Sequence, residues 1–221
     1  MKLLLTSGGI TNASIHGTLV DLLGKPIAEA SALCVPTAIY AFPGGPISAY
    51  KLITGSAASP LCGLGWKSLG VLELTALPSI EAGHCTSVLQ ETDALLVGGG
   101  DPLYLSYWMQ QSGLAALLPE LRTVYVGVSA GSLVMGVVGE EFVYGNQLTG
   151  GNRALGVVEF SMFPHLDHPD MPEHSMANAE KWADKLSVSG YAVDDQTAIR
   201  MVDDAVEVVS EGHWKLFTPH P

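Results

Sequence analysis

A serine between small residues is the first candidate for chemistry in this sequence. Gly127-Val128-Ser129-Ala130-Gly131 fits G-x-S-x-G, the pattern of a serine nucleophile on a sharp turn between a strand and a helix. Apolar residues 124–126 precede the motif, and residues 132–135, which can form a helix, follow it. This setting favours Ser129 as a nucleophile, with the N–H of Ala130 as one donor of an oxyanion hole. The motif alone allows a plain turn equally well, with Ser129 as a helix N-cap.

Two histidines could act as the base that such a serine requires. His165 and His168 follow a strand-like segment, residues 156–163, and histidine is the usual proton acceptor at neutral pH. A pair of histidines in a proline-bounded loop is a weaker metal signal than His-Glu-x-x-His on a helix. We therefore predict a catalytic histidine, no metal and no other cofactor. The alternative is a metal site whose ligands would come from His165, Asp167, His168, Asp170 and His174.

A carboxylate should orient that histidine, and the residues alone leave its position open. Glu140 and Glu141 follow the helix of the serine motif, whereas Asp194-Asp195 ends a later strand-like segment. Spacing along the chain does not decide between them, because any of these carboxylates could return to the serine in the folded protein.

A run of three glycines ends another apolar, strand-like segment. In Val97-Gly98-Gly99-Gly100-Asp101-Pro102 the glycines would let a substrate carbonyl approach the backbone, with N–H groups free to donate. We therefore predict that Gly99 or Gly100 completes the oxyanion hole, with a plain tight turn as the alternative. A phosphate-binding loop is disfavoured, because the spacing G-x-G-x-x-G and a following lysine are absent and Asp101 would repel phosphate.

Short apolar segments alternate with helical ones along the chain, a pattern typical of βα units around a parallel sheet. It predicts a three-layer α/β fold, a mainly parallel sheet flanked by helices, in a single domain of residues 1–221. The tail differs, because residues 198–202, 206–209 and 214–217 are short strand-like segments separated by acidic and glycine turns. We expect these three segments to form an antiparallel β-meander at one edge of the sheet. The other predicted strands include residues 2–6, 32–36, 71–74, 94–97 and 123–128, and the predicted helices include 12–23 and 173–186.

The composition disfavours several classes of function. With 48% hydrophobic and 14% charged residues, the 221-residue chain should form a globular core. A net charge of -12, with only ten basic residues, disfavours binding to nucleic acids or to anionic membranes. The first residues lack the long apolar segment of a signal peptide, and no window reaches the ~18 apolar residues of a membrane span. The three cysteines lack the paired spacing of a zinc site, so we predict reduced thiols in a cytoplasmic protein, monomeric or homodimeric.

Taken together, these motifs resemble the peptidase E family, which has the class I glutamine amidotransferase-like fold. The resemblance covers most of the chain, from the first strand to the tail, in the family's order and separations. Its matching segments are the serine motif, Val97-Gly98-Gly99-Gly100 and Ala154-Leu155-Gly156-Val157-Val158-Glu159-Phe160-Ser161-Met162-Phe163-Pro164-His165.

The resemblance implies hydrolysis of short peptides, with a preference for an N-terminal aspartyl residue. It also implies roles for residues in these segments. Ser129 would be the nucleophile and His165 the base, and the N–H groups of Ala130 and of Gly99 or Gly100 would form the oxyanion hole.

The resemblance also bears on the acidic residue and on substrate choice. The family's acidic residue lies between the serine and the histidine, which favours Glu141, 24 positions before His165, over Glu140. Asp101 replaces an asparagine that many relatives carry beside the oxyanion loop, so we expect it to influence substrate binding. An aspartyl substrate requires a cation, and Arg153 is the only arginine between the serine motif and His165.

Two other functions are alternatives. An esterase or amidase of the α/β-hydrolase type would normally carry its histidine near the C-terminus, whereas His165 comes only 36 residues after Ser129. A relative without catalytic activity would bind a small ligand or a partner, and a complete set of serine, histidine and carboxylate argues against it. Transfer of ammonia from glutamine is disfavoured, because none of the cysteines lies in a turn of this kind.

Overall fold

The computed structural model describes residues 1–80, 82–144 and 154–219 and has the predicted α/β architecture. No helix within these ranges is long and apolar enough to span a membrane. The helices are α1 (Ala13–Leu23), α2 (Gly45–Ile53), α3 (Ala82–Glu91), α4 (Pro102–Gln111), α5 (Leu114–Leu117), α6 (Ala130–Leu133) and α7 (Met176–Ala183). The strands are β1 (Lys2–Thr6), β2 (Ser31–Val35), β3 (Ser68–Val71), β4 (Ala94–Val97), β5 (Val124–Val128), β6 (Phe160–Phe163), β7 (Ser189–Val193), β8 (Thr197–Val202), β9 (Ala205–Ser210) and β10 (Trp214–Phe217).

The strands form two sheets. The main sheet has the order β3-β2-β4-β5-β1-β8-β9, in which the first five strands run parallel and β8 and β9 are antiparallel to their neighbours. The second sheet has the order β10-β7-β6, in which β6 and β7 are parallel and β10 is antiparallel to β7. The prediction of a mainly parallel sheet is therefore confirmed.

The main sheet is covered on both faces, because successive apolar side chains of its central strands point to opposite sides. In β1, Leu3 and Leu5 belong to one buried cluster and Leu4 belongs to another. The first cluster includes side chains of α4, α6 and α7, and the second includes side chains of α1 and α2. Strands buried on both faces are typical of a parallel sheet between two layers of helices, so the predicted three layers are confirmed.

The tail differs from the predicted meander in its last strand. β8 and β9 pair antiparallel at the edge of the main sheet, as predicted. β10 instead pairs with β7 in the second sheet, with Trp214 opposite Val193. The N–H of His213 donates to Asp194 Oδ2 at 2.8 Å, which ties the turn before β10 to the end of β7. The turn before β10 therefore lies beside the end of β7, and β10 continues in the second sheet.

The strand order brings several loop starts to one edge of each sheet. In the main sheet, β5 lies between β4 and β1, and Thr6 is opposite Val128. The loops after β1, β4 and β5 therefore start side by side. In the second sheet, Phe163 of β6 is opposite Ala192 of β7, so the loops after these two strands also start together. The carboxyl ends of parallel strands are where α/β proteins usually build their sites.

Candidate active site

Ser129 lies in the sharp turn between β5 and α6. Its φ of 51° and ψ of -113° form a strained conformation that non-glycine residues seldom adopt. A Cβ on Gly127 would lie 2.5 Å from the carbonyl oxygen of Gly131, and a Cβ on Gly131 would lie 2.2 Å from that of Val97. Since only glycine fits at these two positions, the turn that presents Ser129 requires the G-x-S-x-G spacing.

His165 follows β6 and contacts Ser129. Its Nε2 lies 3.0 Å from Ser129 Oγ, within hydrogen-bond distance. The side chain of His165 is only 14% exposed, and its backbone also has a positive φ, 58°. His168 is the other predicted base. Its Nε2 faces Asp195, at 3.7 Å from Oδ2. Of the two candidate histidines, the structure brings His165 to the serine.

Asp195 is the carboxylate that contacts this histidine. Its Oδ1 lies 2.7 Å from His165 Nδ1 and also accepts a hydrogen bond of 2.6 Å from Ser7 Oγ. Burial raises the pKa of Asp195, but the hydrogen bonds from His165 and Ser7 and the charges of His165 and His168 outweigh burial and hold that pKa below its ordinary value. Asp195 therefore accepts the Nδ1–H of His165, which leaves Nε2 free to take a proton from Ser129.

The prediction that Glu141 orients His165 is wrong. Glu141 Oε1 lies 2.5 Å from Lys185 Nζ and forms an ion pair with it. Glu140 is exposed and begins the same 3₁₀ turn, Glu140–Phe142. Asp195 reaches His165 because it follows β7, the parallel neighbour of β6, so both residues leave the same end of the second sheet. The pairing of β6 with β7 is the signal that would have selected Asp195 among the candidate carboxylates.

The three predicted oxyanion donors lie next to the serine. A Cβ on Gly99 would be 3.4 Å from Ser129 Cβ and 3.9 Å from Ser129 Oγ, so the glycine leaves this space open. Gly100 has a φ of 135° and packs against Ala38, where a Cβ would lie 2.2 Å from the carbonyl oxygen. Ala130 follows Ser129 and begins α6. Within the described ranges, the N–H groups of these three residues donate to no other residue, which leaves them available to a substrate oxygen.

Asp101, the residue expected to influence substrate binding, caps α4 beside the glycine loop. The residue is 2% exposed, and its Oδ1 accepts hydrogen bonds from the N–H groups of Leu103 at 2.8 Å and Tyr104 at 3.0 Å. These bonds satisfy N–H groups that a helix start leaves without partners. Arg153, the predicted partner of an aspartyl side chain, lies outside the described residues.

A cavity of about 420 Å³ opens beside Ser129 and His165. Of the described residues in its wall, Glu173 carries a negative charge and none is a lysine or an arginine. The remaining wall is mainly apolar and aromatic, with Ile39, Phe42, Leu133, Phe142, Tyr144 and Met171 as its large side chains.

Other histidines and carboxylates near the site are paired with protein atoms. His174 Nδ1 lies 2.7 Å from the carbonyl oxygen of Pro164. His213 lies between two carboxylates, with Nε2 3.0 Å from Asp167 and Nδ1 3.0 Å from Asp194. Among the residues that the structure describes, no group of three or more His, Cys, Asp or Glu side chains could hold a metal ion.

The comparisons with known proteins agree with this architecture. The family model of peptidase family S51 matches residues 3–209. A protein from Listeria monocytogenes EGD-e, described as a candidate peptidase E, is similar in structure, with a TM-score of 0.67 and 18% identity over 96% of this chain and 98% of that one. A peptidase from an acI-B1 Actinobacterium has a TM-score of 0.65 and 18% identity over 100% of this chain and 91% of that one. No curated protein matches the chain. At these identities, the likeness to the two structures shows the shared fold alone.

Proposed function

The chain belongs to peptidase family S51 and is a serine-type peptidase, and we propose that Ser129, His165 and Asp195 are its catalytic triad. The proposed substrates are short peptides. The observation that carries the proposal is the line of hydrogen bonds from Ser129 Oγ to His165, at 3.0 Å, and from His165 to Asp195, at 2.7 Å. A nucleophile, its base and an orienting carboxylate in mutual contact are what activation of a serine requires.

Acylation begins when His165 Nε2 removes the proton of Ser129 Oγ. The Ser129 oxygen then attacks the carbonyl carbon of the scissile bond. The N–H groups of Ala130 and of Gly99 or Gly100 stabilise the negative charge that develops on the carbonyl oxygen. The protonated His165 then gives its proton to the leaving amine. The C–N bond breaks, and an acyl group remains on Ser129.

Deacylation repeats these proton transfers with water. His165 removes a proton from a water molecule, whose oxygen attacks the acyl carbon and releases the product acid. Ser129 then recovers its proton from His165. Asp195 stays ionised throughout, holds the imidazole in one tautomer and stabilises its protonated form.

The size of the cavity supports small substrates. Cavities of roughly 300 to 1,000 Å³ usually hold small ligands, and this one has about 420 Å³. Its apolar and aromatic wall suits apolar groups of a short peptide. Longer chains would have to extend beyond the cavity.

A preference for an N-terminal aspartyl residue is the finer part of the proposal, and it depends on Arg153. The described wall of the cavity offers Glu173 but no lysine or arginine. Since a charged hydrogen bond contributes about 1.5 to 3 kcal/mol, Arg153→Gln should lower kcat/KM for Asp-Ala by roughly tenfold or more and leave Ala-Ala unchanged. Arg200→Gln is the matched control, because Arg200 pairs with Glu207 on the neighbouring strand β9. Equal kcat/KM for Asp-Ala and Ala-Ala in the unmodified protein would contradict the preference.

A fluorophosphonate probe tests the triad directly. We expect it to label Ser129, and we expect Ser129→Ala to lose about 10⁶ in kcat, the usual loss for a triad nucleophile. Labelling of a different residue would refute the assignment. A panel of Asp-X, Glu-X and X-Asp dipeptides beside short esters separates a peptidase from an esterase that uses the same triad.

The proposal includes a cytoplasmic location. Cys34 and Cys62 are buried free thiols, and thiols persist in reducing compartments. Fractionation of the source cells tests the location, and recovery of the protein from the medium or from a membrane fraction would contradict it.

A further inference from the structure

We propose that Ser7, directly after β1, is a positioning residue that holds His165 and Asp195 in their reactive arrangement. This inference rests on the proposed triad. Ser7 is fully buried, and it is not among the described residues that line the cavity beside Ser129. Its role is therefore not contact with a substrate. Its hydroxyl instead contacts both members of the histidine–carboxylate pair.

The two hydrogen bonds of Ser7 use both capacities of a hydroxyl group. The ionised Asp195 can only accept, so Ser7 Oγ donates to Asp195 Oδ1, at 2.6 Å. The same hydroxyl oxygen accepts the backbone N–H of His165, at 2.7 Å. Oδ1 is also the atom that faces His165 Nδ1, at 2.7 Å. Ser7 and the imidazole thus converge on one oxygen, which fixes the rotation of the carboxylate.

The backbone of His165 explains why this contact matters. A φ of 58° is unfavourable for a residue with a side chain, so neighbouring contacts must hold it. The bond from the N–H of His165 to Ser7 is one such contact, and the bond from the N–H of Leu166 to Val193 O, at 3.0 Å, is the next. Ser7 therefore fixes the position of the His165 backbone. It also fixes which oxygen of Asp195 the His165 ring contacts.

Gly8 supplies the space that this arrangement needs. A Cβ on Gly8 would lie 2.7 Å from Asp195 Cβ and 2.8 Å from Asp195 Cγ, closer than real Cβ atoms come. The loop after β1 therefore positions Asp195 in two ways, by a hydrogen bond from Ser7 and by the missing side chain of Gly8.

The test compares Ser7→Ala with a matched control, Thr11→Val. Thr11 Oγ1 donates to the backbone oxygen of Asp195 at 2.6 Å, but it contacts neither the carboxylate nor the imidazole. Because small errors in the position of reacting groups cost up to about 100-fold, Ser7→Ala should lower kcat by roughly 10- to 100-fold with KM nearly unchanged. Thr11→Val should keep kcat, although each variant removes one hydroxyl from the same region. Ser7→Cys, which keeps a weak donor on a larger atom, should have an intermediate kcat.

Steady-state kinetics, thermal unfolding and the rate of fluorophosphonate labelling together decide the matter. The inference is supported if Ser7→Ala loses more kcat and more labelling rate than Thr11→Val does, while the two variants have similar melting temperatures. Equal kcat in Ser7→Ala and the unmodified protein would overturn the inference and leave the triad intact. Parallel losses of kcat and melting temperature in both variants would also overturn it, because they would show a structural role only. An unmodified protein that neither reacts with the probe nor cleaves peptides would instead refute the triad on which the inference rests.

Discussion

At the scale of single residues, the proposed chemistry depends on one orientation of the His165 ring. Nε2 can accept the proton of Ser129 only if Nδ1 carries the other proton, and Asp195 ensures this from 2.7 Å. Ser7 donates to the same oxygen of Asp195 and so stabilises the charge of the carboxylate. The carboxylate of Glu141 does not orient the His165 ring, because it forms an ion pair with Lys185 instead.

The first prediction separates these two carboxylates. Asp195→Asn should lower kcat by about 10⁴, because the amide can donate to Nδ1 and then favours the wrong tautomer. Glu141→Gln should keep kcat, because it breaks only an ion pair with an exposed lysine, and such pairs contribute little. Steady-state kinetics on one dipeptide checks both variants. A large loss of kcat in Glu141→Gln, together with an unchanged kcat in Asp195→Asn, would reverse the assignment.

The second prediction concerns stability and pH. The pKa of Asp195 is lowered in the folded protein by the donors around it, against the effect of burial. Its ionised form therefore stabilises the fold above the unfolded pKa, and this contribution is lost as the pH falls through the folded pKa. The free energy of unfolding of the unmodified protein, relative to Asp195→Asn, should thus be larger at about pH 7 than at about pH 3. Urea unfolding across this range gives the difference, and a constant value would contradict the lowered pKa.

At the scale of elements, two glycines differ in whether the fold requires them: Gly131 in the β5–α6 turn and Gly17 in α1. Gly131 lies against the carbonyl oxygen of Val97, so the turn and the end of β4 touch with no space for a side chain. Gly17 is the opposite case, because it is exposed in the interior of α1 and a Cβ there would meet nothing within 4 Å. One glycine is required by geometry and the other is not.

The third prediction uses this contrast. Gly131→Ala should destabilise the fold by about 2 kcal/mol or more, because the added carbon must push the turn away from β4. It should also lower kcat, since Ser129 moves with the turn. Gly17→Ala should stabilise the fold by about 0.5 to 1 kcal/mol, because alanine loses less backbone entropy in a helix. Urea unfolding measures both, and a stabilising Gly131→Ala would show that the contact with Val97 is relaxed.

Elements whose ends depend on neighbouring residues could be predicted from the sequence. α1 begins after Asn12, whose Oδ1 accepts the N–H of Ile15 at 2.9 Å, and it ends at Leu23, before Gly24, which has a φ of 70°. The predicted helix 12–23 is confirmed, and both of its ends are fixed by residues that are close in the sequence. The partners of β7 are not encoded locally, since β6 and β10 lie far from it in the sequence. Local sequence patterns therefore place β10 beside β9 instead of β7, and they do not single out Asp195 among the candidate carboxylates.

At the scale of the whole molecule, the proposed site joins the two sheets. Ser129 and Ser7 follow strands of the main sheet, whereas His165 and Asp195 follow strands of the second sheet. The hydrogen bonds of Ser129 and Ser7 cross from one sheet to the other. Any motion that separates the sheets would therefore take the nucleophile away from its base.

The last prediction concerns the net charge of -12 and the charge of the substrate. A strongly acidic protein repels a net-negative peptide, and salt weakens this repulsion, since the screening length falls from about 30 Å at 0.01 M salt to about 8 Å at 0.15 M. The value of kcat/KM for Asp-Ala, which carries a net negative charge at neutral pH, should therefore rise as salt is added. Ala-Ala has no net charge and serves as the control, with little change expected. A fall of kcat/KM for Asp-Ala as salt is added would contradict this prediction, because it would show that attraction to a cation such as the proposed Arg153 outweighs the net charge.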